Sequence, residues 1–527
     1  MEQRTFLAIV LSIVVLFGYE AIFIAPNRPQ SVNSSQVIAI KAVDTNTALL
    51  LNPPRNKQVE TTNQQIRPEI YKIETPSLHT ELSNMGGTIH NIGFSGSKIM
   101  PLTDFVAVKD FSSLAFAESG RSKDGIAYEF TDDNVHISKT FKKLDDHTFL
   151  ASIEIFNLNK ISSLENIAFN AFTIDTANLA HDNRETMLDE YSVFSGNKTF
   201  RKSNAFQFNA KEDKDISGRV KWAGFRDHYS AVLVRPEFET KGYEIKAVSK
   251  DRLDVVLVPQ ASFLVPGAKA SYTFTIFAGP QDIALMKKYN KDLEKIVAFS
   301  NFGIIDAIAK GVYWTGVFIQ KAIKSWGITI ILISILFYAL TYPLTLKSMM
   351  SMRKMQAAQP KISALREKYK NDPKKLNAEV IEIYRREKIN PLGGCLPMLL
   401  QMPVFMAMYQ VLWRAYYFQG KGFLWIKDLS QPDRLFIFPF QLPFLGNELN
   451  ILPILMGVVM FVQQKLSAKN AVVTDETQAM QQKMMTVLFP VFIGFIFYKF
   501  ASGLSLYFTM FYIFSAITQW KMSKAKV

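Results

Sequence analysis

From Gly327 onward, the side chains able to do chemistry are mostly uncharged. Ser334, Tyr338, Gln401, Gln463, Gln464, Ser505 and Tyr507 stand inside otherwise apolar runs. Hydroxyls and carboxamides give and accept hydrogen bonds without ionising. A polar group entering hydrocarbon loses its water, so hydrogen-bonding groups part way across a bilayer lower that barrier. Taken singly, each is explained as well by an interhelical hydrogen bond. Beside them, Met398, Met402, Phe405, Met406 and Tyr409 recur at helical spacing, a flexible apolar stripe suited either to packing or to guiding varied segments.

Other chemistries find little footing. The motifs HExxH, GxSxG, Walker A and GxGxxG do not occur, so we assign no catalytic residue, no metal ligand and no cofactor. A transporter or channel needs charged or ordered ion-binding groups deep in its spans, and Lys499 lies only at the end of one. The remaining alternative is a membrane-anchored carbohydrate-binding or envelope scaffold protein, because a β-sandwich can host sugar binding.

The elements that must position these residues follow from where apolar residues fall. Of 527 residues 48% are apolar and 42 are Phe, and they concentrate at the two ends. Thr5–Ala25, interrupted only by Glu20, reads as a retained anchor (1–25) rather than a cleaved signal, since "FIAPN" offers no small-x-small site. Residues 26–68, rich in Asn, Gln, Ser, Thr and Pro, read as a linker. Residues 69–280 carry short β-branched and aromatic runs divided by turn clusters, which predicts one β-sandwich. Residues 281–326 return to a helical period. Ile304, Ile308, Val312, Thr315, Ile319 and Ile323 mark a helix lying in the membrane interface or packed on the β domain.

Five apolar spans are expected at 327–346, 392–413, 451–466, 484–500 and 504–520. Between Lys347 and Asn390 stand 12 Lys/Arg against 5 Asp/Glu, a net +7 of the chain's +14. The positive-inside rule makes this loop cytoplasmic, and clustering between two spans explains the charge without nucleic acid. Within it, 359–389 reads as a helical hairpin turning at "NDP", with Asp372 as N-cap and Pro373 in the first turn. Counting the anchor gives six spans, both termini cytoplasmic and the β domain periplasmic. In "NPLGGCLPMLLQMPV", Pro391, Pro397 and Pro403 free backbone carbonyls, which suits a helix beside a partly wet cavity or an ordinary kinked, buried one. The lone cysteine, Cys395, lies in this stretch and says nothing about compartment.

The stretches "TYPLTLKSM", "MQAAQPKI", "INPLGGCLPMLLQMPVF", "ILPILMGVVMFVQQK", "QQKMMTVLFPV" and "ASGLSLYF", in that order after an anchor and a β insert, resemble the YidC family of membrane protein insertases, which has relatives in mitochondria and chloroplasts. The resemblance implies a multi-pass α-helical inner-membrane protein that assists insertion, folding and assembly of integral membrane proteins without hydrolysing nucleotide. It implies a hydrophilic groove open to cytoplasm and lipid, lined here by the uncharged polar residues above. Met402, Phe405 and Ile496 fall on the family's substrate slide, and Met406 continues it. The arginine that the family places in the groove corresponds to Tyr338. Implied partners are nascent membrane proteins and the lipid bilayer, with the Sec translocon and the ribosome. The tail after Trp520 has seven residues, which predicts no basic ribosome-holding extension.

Overall fold

The structure, a computed structural model, describes residues 68–524 except 77, 95–99, 178–188, 204–213, 250, 290, 301, 388, 390–395, 443–445, 469–479 and 481. The expected anchor at 1–25 and nearly all of the linker lie outside the described residues, as do Pro391 and Cys395.

Period-two patterning builds the β-rich domain. Along Thr148–Asn157, Phe149, Ala151, Ile153 and Ile155 are buried, alternating with half-exposed residues. This strand sits in a nine-stranded antiparallel sheet ordered Lys198–Ser203, Glu190–Ser195, Val220–Arg226, Ser230–Pro236, Lys269–Pro280, Thr148–Asn157, Val135–Lys143, Gly125–Thr131 and Ala117–Ser122. A second sheet runs Lys214–Ser217, Thr240–Ala247, Arg252–Pro259 and Phe169–Asp175, whose far edge pairs with both Leu102–Thr103 and Ala107–Val108. Phe141, Phe172, Val255 and Phe274 share one core drawn from both sheets. Ile70–Glu74, Leu78–Ser83 and Thr88–Phe94 form a three-stranded sheet whose Leu78, Ile89 and Ile92 join that core.

Where alternation fails, the sheet is covered twice. Strand Ser230–Pro236 turns Val232 and Val234 into the sandwich core and Ala231 and Leu233 into a second core. The second core is completed by α1 (Ile283–Lys288) and a 3₁₀ turn (Leu293–Ile296) through Ile283, Met286 and Ile296. Gly224 permits this approach, because a Cβ there would lie 2.9 Å from Ile296 Cδ1.

The second core runs on without a break into the helices: α2 (Gly303–Ile323), α3 (Trp326–Lys368), α5 (Leu396–Arg414), α6 (Ile451–Ala468), α7 (Phe489–Phe497, after a π-helical turn at Met484–Leu488) and α8 (Ser502–Lys524). Helix α2 packs on α3 and α5 through Ala309, Val312, Tyr313 and Gly316. Its opposite stripe of Ile304, Trp314 and Phe318 is exposed. Helix α3 is one element of 43 residues that runs through Pro343 and Pro360, so the expected span and the first arm of the expected 359–389 hairpin are a single helix. The second arm is α4 (Pro373–Arg386), where Asp372 Oδ1 accepts from the Lys375 amide at 3.1 Å and Pro373 occupies the first turn. Ala358 and Ile362 of α3 meet Val380 and Ile383 of α4, and Lys361 pairs with Glu387.

Among the described residues, α3 is the one helix whose own length and composition suffice to cross a bilayer. Ile451–Ser467 and Met484–Phe497 are shorter apolar helices, so helix length alone does not establish the five core spans.

Candidate functional site

The helical core draws the uncharged polar residues together in pairs rather than into one lining. Tyr338 of α3 donates to the Thr518 hydroxyl of α8 at 2.5 Å. Its ring, 8% exposed, lies among Phe511, Phe514 and Tyr342 at centroid distances of 5.6, 5.9 and 6.1 Å. Gln401 Nε2 of α5 donates to the buried Tyr507 hydroxyl of α8 at 3.3 Å. Ser334 is buried and bonds back to the Ile330 carbonyl of its own helix at 2.8 Å, and Thr341 does the same with Phe337 at 2.9 Å.

Two groups differ from these. Gln463 Oε1 and Ser505 Oγ are buried without a hydrogen-bond partner among the described residues, and so is Gln519 Oε1. Gln464, next to Gln463, is half-buried. A buried polar atom left unpaired costs about 1–3 kcal/mol, so each of these atoms is a place where water or a polar guest gains a hydrogen bond. Thr518 and Gln519 are not among the polar residues that the sequence singles out. The signal was available, since Ser515 and Thr518 are spaced three apart and Gln519 follows, all uncharged polar residues in an apolar run.

The Met stripe divides. Met402 and Met406 are 53% and 37% exposed. Phe405 and Ile496 turn inward against the core, with Phe405 ring centroids 5.5 Å from Phe508 and 6.1 Å from Phe497. The side chain of Met398 lies outside the described residues. An apolar cavity of about 10 Å³ between α2, α3 and α5, lined by Gly316, Ile330, Ile333 and Met408 among others, has room for about one water and no more.

The β domain is fixed to this core by buried charge. Glu190, 1% exposed, accepts from Arg226 Nε and Nη2, both at 3.1 Å, and from Arg201 Nη1 at 2.9 Å. The two arginines also bond the carbonyls of Ala298 and Ile296, both at 2.9 Å. Burial alone pushes the Glu190 carboxyl up, but the Arg226 and Arg201 guanidiniums outweigh it and hold it below the ordinary carboxylate range. Beside this cluster His228 Nε2 meets the Trp413 carbonyl at the end of α5, and Tyr229 donates to Ser430 Oγ at 3.1 Å.

A β-rich domain bolted to an apolar helical core whose helices pair through uncharged polar groups is the architecture of a membrane protein with a large extramembrane domain. Residues 318–527 match the model of the family described as 60Kd inner membrane protein, and residues 103–315 match the YidC periplasmic domain. A membrane protein insertase YidC from Chlorobaculum tepidum is 32% identical over 76% of this chain and 68% of its own length. One from Chlorobaculum parvum is 33% identical over 67% of this chain and 60% of its own length, and one from Pelobacter propionicus is 29% identical over 96% of both. The chain belongs to the YidC family. Its relatives are named as insertases rather than enzymes, and this assignment displaces the carbohydrate-binding or scaffold alternative.

Proposed function

We propose that this chain is a membrane protein insertase and chaperone that receives hydrophobic segments from the cytoplasm and releases them into lipid. The observation that carries the reading is the pair of buried, unpartnered acceptors, Gln463 Oε1 and Ser505 Oγ, in the same helical core as the Gln401–Tyr507 hydrogen bond. A polar group of a client exchanges bonds with these atoms instead of entering hydrocarbon bare, and no nucleotide is required for the step. Ser334, Tyr338 and Gln464 are assigned to the same groove on their polarity and their place in the helical core, although Ser334 and Tyr338 are each hydrogen-bonded to neighbours of their own, while Met402, Met406, Phe405 and Ile496 offer the apolar slide towards lipid.

In this reading the chain crosses the inner membrane six times, with the anchor at 1–25 and the five core spans. Both termini and the 359–389 hairpin are cytoplasmic, and the β domain of 69–280 is periplasmic. Clients are nascent membrane proteins and the release site is the bilayer. The Sec translocon and the ribosome are partners proposed from family membership alone.

The test is insertion of single-span clients into vesicles containing the purified protein. Gln401→Leu combined with Gln463→Leu is expected to slow a client with a polar translocated segment several-fold and to spare an apolar one. Equal effects on both clients would remove the groove from the mechanism.

A further inference from the structure

Between α5 and α6 the chain forms a two-stranded antiparallel ribbon, Phe436–Leu442 with Gly446–Leu449. From Leu435 to Asn447 the sequence contains no charge. Consecutive residues of a strand point to opposite faces, and burial normally selects one of them. Here Phe436 and Ile437, on opposite faces, are 61% and 59% exposed, with Leu435 and Phe440 at 43% and 56%. Phe436, Phe438 and Phe440 contact one another in succession, the first pair tilted at 5.8 Å and the second stacked at 5.3 Å between centroids. An isolated two-stranded ribbon is marginal in water, and one that is apolar on both faces apart from Glu448 at its base needs a covering surface.

The base of the ribbon identifies that surface. Strand Gly446–Leu449 ends two residues before Ile451, where α6 begins, and Asp433 Oδ2 accepts from the Ile451 and Leu452 amides at 2.9 and 3.0 Å. Asn450 Nδ2 donates to the Tyr498 carbonyl at 2.8 Å, and Tyr498 donates to the Glu448 carbonyl at 2.6 Å, tying the ribbon to the chain just beyond α7. The ribbon is therefore held at the outer ends of two core helices. Helix α6, which starts at the ribbon's base, carries an exposed apolar stripe through Ile451, Ile454, Leu455 and Val458. Its nearest charges, Arg434 and Glu448, pair with each other at 2.8 Å at the base.

We infer that this ribbon is an interfacial anchor: its aromatic and aliphatic side chains enter the outer lipid leaflet beside α6 while its base stays at headgroup level. The inference rests on the reading of α6 as a membrane span. Lipid fits better than a protein partner, because the ribbon is fixed to the start of a helix whose exposed apolar stripe the same reading gives to lipid. The ribbon's unpaired strand edges need water or headgroups, which confines it to the interface. Pro439 removes one edge donor.

The test uses the full-length protein with Cys395→Ser, in phosphatidylethanolamine/phosphatidylglycerol vesicles. Single spin labels are placed at Ile437, Phe440, Val458 and Ile161, the last being 91% exposed on the β domain. Labels at Ile437 and Phe440 are expected to collide with oxygen several-fold more, relative to a water-soluble nickel chelate, than the label at Ile161. If Ile437 and Phe440 behave like Ile161 while Val458 reports lipid, the anchor is overturned and the span survives. If both labels are shielded from both reagents, protein covers the ribbon and the anchor is again overturned. If Val458 also reports water, the span fails and the anchor with it.

Discussion

The Tyr338 hydroxyl donates to the Thr518 hydroxyl at 2.5 Å and so ties α3, the longest helix of the core, to α8, the last. If Tyr338 stands at the family's arginine position, as the resemblance implies, a neutral hydrogen bond joins the helices there instead of a charge. Tyr338→Phe and Thr518→Val are each expected to reduce client insertion modestly. A double-mutant cycle should give a coupling of about 1 kcal/mol in stability. Tyr338→Arg should persist in the membrane, because a guanidinium can stack on the Phe511 and Phe514 rings. Loss of the arginine variant from the membrane, measured by quantitative blotting, would place Tyr338 in a dry core.

Residues adjacent in sequence were readable, whereas residues paired across it were not. Alternation in Thr148–Asn157, the Asp372 cap and the apolar run from Ile451 each signal their element within a few residues. Glu190, Arg201 and Arg226, by contrast, look like the polar half of a strand pattern, and only the sheet register makes them one buried cluster. The ribbon at Phe436–Leu442 reads as loop because Pro439 and Pro443 interrupt it. Gln401 and Tyr507, 106 residues apart, come together only through the packing of α5 and α8.

Glu190→Gln is expected to destabilise the junction of β domain and core by about 3–5 kcal/mol, since it leaves two arginines without their counter-charge. The carboxyl is held below its unfolded value, so its stabilising contribution is present above the unfolded pKa and is lost as pH falls through the folded one. Thermal unfolding in detergent between pH 7 and pH 3 should show an acid-side loss in the wild type that Glu190→Gln lacks. Parallel curves would assign the acid sensitivity elsewhere.

Lys139 is fully buried, and its Nζ donates to the carbonyls of Gly86 at 2.7 Å and Val106 at 3.3 Å. Burial pushes its ammonium down to about 7, with Asp104 partly countering. A depressed lysine binds its proton more weakly in the folded state than in the unfolded one. Stability therefore rises with pH between about 7 and 10, by at most about 1.4 kcal/mol per pH unit. Amide exchange in Val135–Lys143 should slow over that range relative to intrinsic rates, and Lys139→Met should flatten the trend. An unchanged slope in the variant would exclude Lys139 as its source.

The second core makes deletion of the β domain sensitive to where it is cut. Removing 69–280 bares Ile283, Met286, Leu293 and Ile296, which pack against the nine-stranded sheet. Extending the cut through Phe299 removes that apolar face as well. The longer deletion is expected to retain client insertion, since the groove and slide residues all lie beyond it. The shorter one should accumulate less protein. Loss of insertion by the longer deletion at normal protein level would move function into the β domain.

The connection of α7 to α8 predicts a thinned bilayer around the protein. The π-helical turn Met484–Leu488 and helix Phe489–Phe497 leave only residues 498–501 before Ser502 begins α8. At 1.5 Å per residue the apolar stretch 484–497, preceded by helical Gln482 and Lys483, covers about 21 Å against a hydrocarbon core of about 30 Å, so the mismatch lies on the α7 side and not in the 23-residue α8. Four connecting residues cannot supply the difference within a tight turn, and the exposed Lys499 must reach water at the outer end. Mismatch costs only fractions of a kcal/mol per Å, so the lipid yields before the helix does. A thinner bilayer also shortens the path over which an inserting segment is dry. Spin labels at Phe492, Phe500 and Tyr512, read for depth in bilayers of graded thickness, should all lie closer to a surface than a full-thickness bilayer allows. Depths matching an undeformed bilayer at all three positions would overturn the prediction.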